Sequence, residues 1–135
     1  MAEEKVFDLE VITPDRVFCR EKAVMVEMNT KEGQLGIYKE HVPTTCILSP
    51  GVLTIHLGGG ETKKAALHGG FAEIMKDKVT VLAEAAEWPD EIDVNRAEAA
   101  KERAESRIQG HAENVDIARA EMALRRALTR LKTVK

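Results

Sequence analysis

The hydrophobic pattern of this chain changes period once, and that change constrains the fold more than any other feature. Up to Pro89, apolar residues recur at every second position in short runs, separated by glycine, proline or charged turns. From Val94 onward there is no proline and one glycine, and apolar residues recur at intervals of three and four. Alternation marks half-buried strands, and the longer period marks a helix. Pro89 lacks the N–H that a strand ladder needs. Asp93 carries a short carboxylate suited to the free N–H groups of a helix start. Residues 87–103 therefore join an all-β part to an all-α part.

Before this junction, residues 6–12 alternate as Val-Phe-Asp-Leu-Glu-Val-Ile, and Thr13-Pro14-Asp15 turns them. Residues 16–20 and 23–28 read as two more strands, with Val24, Val26 and Met28 on one face. Gly33 and Gly36 bracket a turn before Ile37 and Tyr38. Further short strands are expected over residues 44–48, 52–57, 62–68, 71–75 and 79–82. About ten strands spaced this closely, with no helix between them, predict a sandwich rather than a parallel α/β sheet. With 4% aromatic residues, its core must rest on Val, Ile, Leu, Met and Ala.

Beyond the junction, Ala97, Ala100, Ala104 and Ile108 form one helical stripe. Ile117, Ala120, Leu124, Ala127 or Leu128, and Leu131 form a second. The break between them is expected at Gly110 to Asn114, with Gly110 as C-cap and Asn114 as N-cap. So short a break makes the helices antiparallel neighbours. Alanine buries little area, and each Å² contributes only ~25 cal/mol. The hairpin should be marginal alone and depend on what it binds. The fold class is thus α+β: a flattened β-sandwich over residues 1–86 and a helical hairpin over 87–135, with a linker at about 85–92.

Charge is distributed unevenly. Residues 1–89 hold 10 Lys/Arg and 14 Asp/Glu, while residues 117–135 hold six basic residues against Glu121 alone. The last helix is a basic rod that suits an acidic surface, a nucleotide or a nucleic acid. A composition of 44% hydrophobic and 32% charged residues excludes a disordered chain. No apolar run approaches the roughly 20 residues that span a bilayer, and the N-terminus does not read as a signal peptide. Cys19 and Cys46 are expected as reduced thiols.

Catalytic chemistry finds no footing. Gly58-Gly59-Gly60-Glu-Thr-Lys-Lys lacks phosphate-loop spacing and opens no helix, so it reads as a hairpin turn. His41 and Cys46 lack an orienting third group. His41, His56, His68 and His111 lack metal-ligand spacing. No catalytic residue and no metal site are expected. The arginines leave two readings open. Asp93, Arg96 and Arg103 lie along one side of the first helix. Arg126 and Arg130 are one turn apart, and an antiparallel hairpin returns them beside Glu87 and Asp93. Either these are solvated faces with weak ion pairs, or they converge on an anion, for which forked guanidinium donors suit phosphates.

Ile92-Asp93-Val94-Asn95-Arg96-Ala97 resembles the I/L-D-x-x-R-A motif of the epsilon subunit of bacterial F-type ATP synthases. Gly33-Gln34-Leu35-Gly36-Ile37-Tyr38, followed by His41 and Pro43, resembles a second signature of that family. The likeness covers essentially the whole chain in the same order. It implies a non-catalytic rotor subunit of the central stalk, peripheral to the cytoplasmic face of the bacterial plasma membrane. Its implied partners are the gamma subunit, the membrane ring of c subunits, and the alpha and beta subunits when the hairpin extends to block hydrolysis. Gln34, Leu35, Tyr38 and His41 become ring-interface candidates. Lys39-Glu40 departs from the Pro-Gly of many relatives. Glu87, Asp93, Arg96, Arg103, Arg126 and Arg130 match the ATP-binding positions of ATP-sensing members, with ATP as regulatory ligand and magnesium undetermined. The alternative is a stand-alone nucleotide- or nucleic-acid-binding module with a basic arm. Against it stand an arm without aromatic residues for base stacking and an acidic sandwich.

Overall fold

Alternating burial along each short strand builds the first half of the molecule. The computed structural model describes residues 5–110 and 116–135. The strands are β1 (Phe7–Thr13), β2 (Arg16–Thr30), β3 (Gly33–Tyr38), β4 (Thr44–Leu48), β5 (Gly51–Leu57), β6 (Thr62–Leu67), β7 (Gly70–Ile74), β8 (Lys78–Ala83) and β9 (Ala86–Glu87). Phe7, Leu9 and Val11 of β1 point inward, as do Leu53 and Ile55 of β5 and Val79 and Val81 of β8. Successive side chains of a strand face opposite ways, so one face of each is apolar and the other wet. Each fully buried Leu, Ile or Val contributes about 1.5–3 kcal/mol relative to exposure.

The two strands expected over residues 16–20 and 23–28 are one continuous strand, and the two-residue β9, which was not expected, brings the total to nine. Glu21 and Lys22 carry no turn chemistry, and both stay paired with β1. What bends β2 is irregularity within the ladder. Its register against β1 shifts beside Phe18, and its register against β5 shifts beside Val24. Such bulges bend and twist a strand without ending it. Val26 and Met28 accordingly face the core, whereas Val24 sits at the shift and is only half-buried. The early part of β2 pairs with β1, and the later part pairs with β3 and β5. β2 thereby joins the run β1-β8-β7-β4 to the run β3-β2-β5-β6-β9 within one nine-stranded sheet, pairing with β1 at its start and with β4 through Thr30 and Leu48. The β1–β8 pair is parallel.

One turn carries a mismatch between residue and backbone. Glu40 has φ +71°, in the left-handed region that glycine occupies at no steric cost. Its N–H donates to the Lys76 carbonyl at 2.7 Å, which holds it there. An L-residue in this region costs roughly 1–2 kcal/mol, and glycine forfeits part of that through a freer unfolded chain. Glu40→Gly is expected to raise stability by about 0.5–1 kcal/mol in urea unfolding. A lower midpoint would show that the glutamate side chain stabilises the turn.

The helices are α1 (Val94–Gly110) and α2 (Ile117–Thr133). Asp93 Oδ1 accepts from the Arg96 N–H at 3.1 Å, the expected cap. Asn114, expected to cap the second helix, lies outside the described residues, as does His111. The observed cap is Asp116, whose carboxylate accepts from the Arg119 N–H at 3.1 Å. Ala97 and Ala104 are buried on α1, and Ala120, Ala127 and Leu131 on α2. Thr129 and Thr133 are buried as well, which the single expected stripe did not anticipate. The reason is that α2 is sandwiched: α1 covers one side, and β5 and β6 cover another. The Thr133 hydroxyl settles its own polarity by donating to the Thr129 carbonyl at 2.7 Å. Among the described residues no helix is long and apolar enough to cross a membrane.

Candidate nucleotide site and partner surfaces

The site begins at a clamped linker. β9 is only two residues long, and it pairs with β6 so that Glu87 lies opposite Ala66. Trp88 then stacks on Phe18, with ring centroids 4.3 Å apart and planes 21° from parallel. Offset stacks of this kind contribute about 0.5–1.5 kcal/mol beyond area burial. Arg16 donates one nitrogen to both Glu91 carboxylate oxygens at 2.9 Å, and Glu91 also accepts from the Trp88 N–H. These contacts pin residues 87–91 to the sandwich, and α1 starts from a fixed point.

From that point helix geometry places Arg96 and Arg103 along one side, two turns apart. Arg130 arrives from α2 and donates its Nε–H to Glu87 Oε1 at 2.7 Å. A cavity of about 380 Å³ lies between them, lined by Glu87, Glu91, Asp93, Arg96, Arg103 and Arg130. Ala97 and Ala100 form the wall of the helix there, and their small side chains leave the space open. Its volume falls within the range of about 300–1,000 Å³ typical of small-molecule sites. Burial works to raise the Glu87 pKa, but hydrogen bonds from Arg130 and His68 outweigh it, and the carboxyl is held below its ordinary range. Glu87 is thus ionised and orients Arg130. Among the described residues Arg96 and Arg103 form no ion pair, and their forks are free for an oxyanion.

Of the six expected residues, the structure brings Glu87, Asp93, Arg96, Arg103 and Arg130 to one cavity. Arg126 does not line it. One turn before Arg130, it lies close enough to His68 to act on that ring electrostatically. Two participants escaped the sequence reading. Glu91 was masked by the acidic run around it. His68 follows β6 with no motif, and only the β6–β9 register reveals it. A larger groove of about 650 Å³ runs between α2 and β5, with Lys64, Arg125 and Lys132 on its rim. Those cations are exposed, as are Arg96 and Arg103. What distinguishes the smaller cavity is Arg130, which Glu87 orients, whereas among the described residues no ion pair orients the cations of the groove.

The interface candidates divide. Gln34, Leu35 and His41 line one surface depression with Ile47. Tyr38 lies outside it and is 58% exposed. A second surface was not legible in the sequence. Ile47 pairs with Phe71, Phe71 with Leu82, Leu82 with Ile12, and Ile12 with Val17. Cross-strand pairing lines these five side chains into one row across five strands. Ile47, Phe71, Leu82 and Val17 in it are exposed. Contiguous exposed apolar patches of this kind mark interaction sites in soluble proteins.

Comparison with known proteins matches the chain in two parts. Residues 6–89 match a family described as the ATP synthase delta/epsilon chain beta-sandwich domain. Residues 90–135 match the corresponding long alpha-helix domain. The chain is 47% identical over 130 residues to the ATP synthase epsilon chain of Caldanaerobacter subterraneus subsp. tengcongensis, covering 96% of this chain and 94% of that one. It is 48% identical over 124 residues to the epsilon chain of Alkalihalophilus pseudofirmus, covering 91% and 92%. A chain in the Euglena gracilis mitochondrial ATP synthase assembly of OSCP, F1 and c-ring superimposes with a TM-score of 0.82. It is 26% identical, with 94% of this chain and 79% of that chain covered.

Proposed function

The chain belongs to the ATP synthase delta/epsilon family as an epsilon-type subunit of the F-type enzyme, and from this we propose that it is an ATP-sensing, non-catalytic rotor subunit. The observation that carries the reading is the convergence of Arg96 and Arg103 from α1, Arg130 from α2, and Glu87 from the linker on one cavity. A triphosphate needs several cationic donors, and neither helix alone presents enough on one face. The ligand ties the two helices to each other and, through Glu87, to the sandwich. Carboxylates at the rim orient guanidinium groups and accept from the adenine amine or ribose hydroxyls. Binding only the closed form stabilises it by about 2.7 kcal/mol at a hundredfold excess of ATP over Kd. For a hairpin packed largely through alanine, that shift decides between closed and extended forms. Extended, the basic face of α2 reaches acidic surfaces of the alpha and beta subunits and blocks hydrolysis.

The sandwich supplies attachment. The apolar row from Ile47 to Val17 fits the gamma subunit of the stalk, since burying it needs a partner of matching apolar character. Gln34, Leu35, Tyr38 and His41 face the ring of c subunits, which sets the protein against the cytoplasmic membrane surface without entering it. Calorimetric titration of the chain with ATP, ADP and GTP tests the ATP reading. Arg96→Gln with Arg103→Gln is expected to weaken ATP binding at least tenfold, about 1.4 kcal/mol or more, while leaving the sandwich intact. Asp93 is left unchanged because its loss would uncap α1. Equal affinity in the double variant would return the arginines to the status of solvated surface charges.

A further inference from the structure

The group behind the nucleotide cavity is a buried histidine. His68 is 5% exposed. Its Nε2 lies 2.8 Å from Glu87 Oε1, the same oxygen that accepts from Arg130. The arrangement follows from register. Glu87 lies opposite Ala66, and His68 is two residues on, so its side chain is diagonal to Glu87 on the same face. α2 closes over that face. An ionised carboxylate only accepts, so Nε2 must carry the proton and donate. That leaves Nδ1 as a bare lone pair, and this atom is buried without a hydrogen-bond partner among the described residues.

Resting on the ATP reading above, we propose that His68 is a positioning residue of the nucleotide site and that its protonation opens the hairpin, so that acidification lowers ATP affinity. The neutral ring holds Glu87, and Glu87 holds Arg130, forming a chain from β6 through β9 to α2. Protonation adds an Nδ1–H that has no acceptor in a buried position. It also adds a positive charge facing Arg130 and Arg126 of α2. Glu87 of β9 favours that charge, and Glu84, whose carboxylate packs beside Gly69, is the other acid near the turn.

The direction follows from the balance of these groups. In the closed form burial pushes His68 below its ordinary value of 6.5; its hydrogen bond to Glu87 opposes this, and the Arg130 and Arg126 charges add to it. When α2 lifts away, His68 meets water and recovers its ordinary value. The open form then binds the proton more readily, and stability rises with pH wherever the open form holds more protons. The full stability of the closed hairpin is therefore present above pH 6.5 and is lost as pH falls below it.

The test compares wild type with His68→Gln, whose amide can still donate to Glu87 but does not titrate. ATP affinity and amide exchange of α2 without nucleotide are measured from pH 7.5 to 5.5. The γ-phosphate of ATP titrates in the same range, so the informative quantity is the difference between the two proteins. Wild type is expected to lose severalfold more affinity than the variant, because its open form takes up a proton that the closed form resists. Exchange of α2 should accelerate on acidification in wild type alone. At pH 7.5, His68→Gln should bind within about threefold of wild type, whereas His68→Leu, lacking the donor, should lose about tenfold, equivalent to one lost hydrogen bond to a charged group. Identical pH dependence of α2 exchange in wild type and His68→Gln overturns the proposal. If ATP binds neither protein, the nucleotide reading falls, and the nucleotide-free exchange still decides whether His68 controls the hairpin.

Discussion

Deletion of residues 93–135 is expected to leave a folded sandwich that no longer responds to ATP and, in the assembled enzyme, to raise latent ATP hydrolysis. The buried cluster of the sandwich runs from Phe7 to Ala86 with Trp88 packed against it, and no helix residue belongs to it. A cut after Ile92 preserves the Phe18–Trp88 stack and the Arg16–Glu91 pair that fix the linker. What the cut uncovers is Ala66, His68 and the neighbouring faces of β5 and β6. The helix withdrawn from β5 and β6 buries only Ala120, Ala127, Thr129, Leu131 and Thr133, and each buried methyl contributes about 0.8 kcal/mol. Circular dichroism should show cooperative melting of an all-β domain, and ATP should no longer raise its midpoint. An unfolded product would show that the sandwich needs the hairpin. Unchanged hydrolysis in the complex would show that the hairpin does not inhibit.

Gly70→Ala is expected to destabilise the sandwich by several kcal/mol, the largest effect of any single substitution considered. Gly70 has φ +117°, which an L-residue rarely adopts, and a Cβ there would lie 2.1 Å from the Leu82 carbonyl oxygen and 2.8 Å from the Ala83 Cα. Both obstacles are backbone, so no side-chain rotation relieves them. The strain would reach the arginine-lined cavity too. Gly70 opens β7 two residues after His68, and the His68 N–H donates to the Ala85 carbonyl at 3.0 Å one residue before β9 begins. Gly59→Ala is the control: it shares a positive φ but has nothing within 4 Å of the added Cβ. Gly70→Ala should fold poorly or melt far below wild type, whereas Gly59→Ala should cost no more than about 1–2 kcal/mol. Equal melting points would mean that the turn at Gly70 relaxes freely.

Both expectations trace to different degrees of legibility in the chain. The division near Pro89 could be read because a change from period two to period 3.6 is local. The Asp93 cap was legible for the same reason, since its partner is the Arg96 N–H three residues on. So was the pairing of Arg126 with Arg130 on one helix. Their separation was not: Arg130 reaches Glu87, while Arg126 lies outside the cavity, because the rotation of α2 about its axis is set by what packs on it. Thr129 and Thr133 are buried for that reason as well, although helical propensity and polarity would place them outside.

The strands show the same limit. Alternation identified which residues of β1, β5 and β8 face inward, but no local pattern announces that β1 pairs in parallel with β8, or that β2 continues through two register shifts. The β1–β8 and β2–β5 pairings join residues tens of positions apart. They depend on which apolar faces find each other when the chain collapses, a property of the whole core rather than of any segment. From such pairings come the row from Ile47 to Val17 and the contact of His68 with Glu87. The residues of the chain thus specified the two kinds of structure, their junction and the helix caps, since these rest on backbone chemistry within a few positions. The exposed apolar row and the histidine behind the arginine-lined cavity arose only when the strands took their register, because side-chain neighbours across a sheet are set by pairing and not by order along the chain.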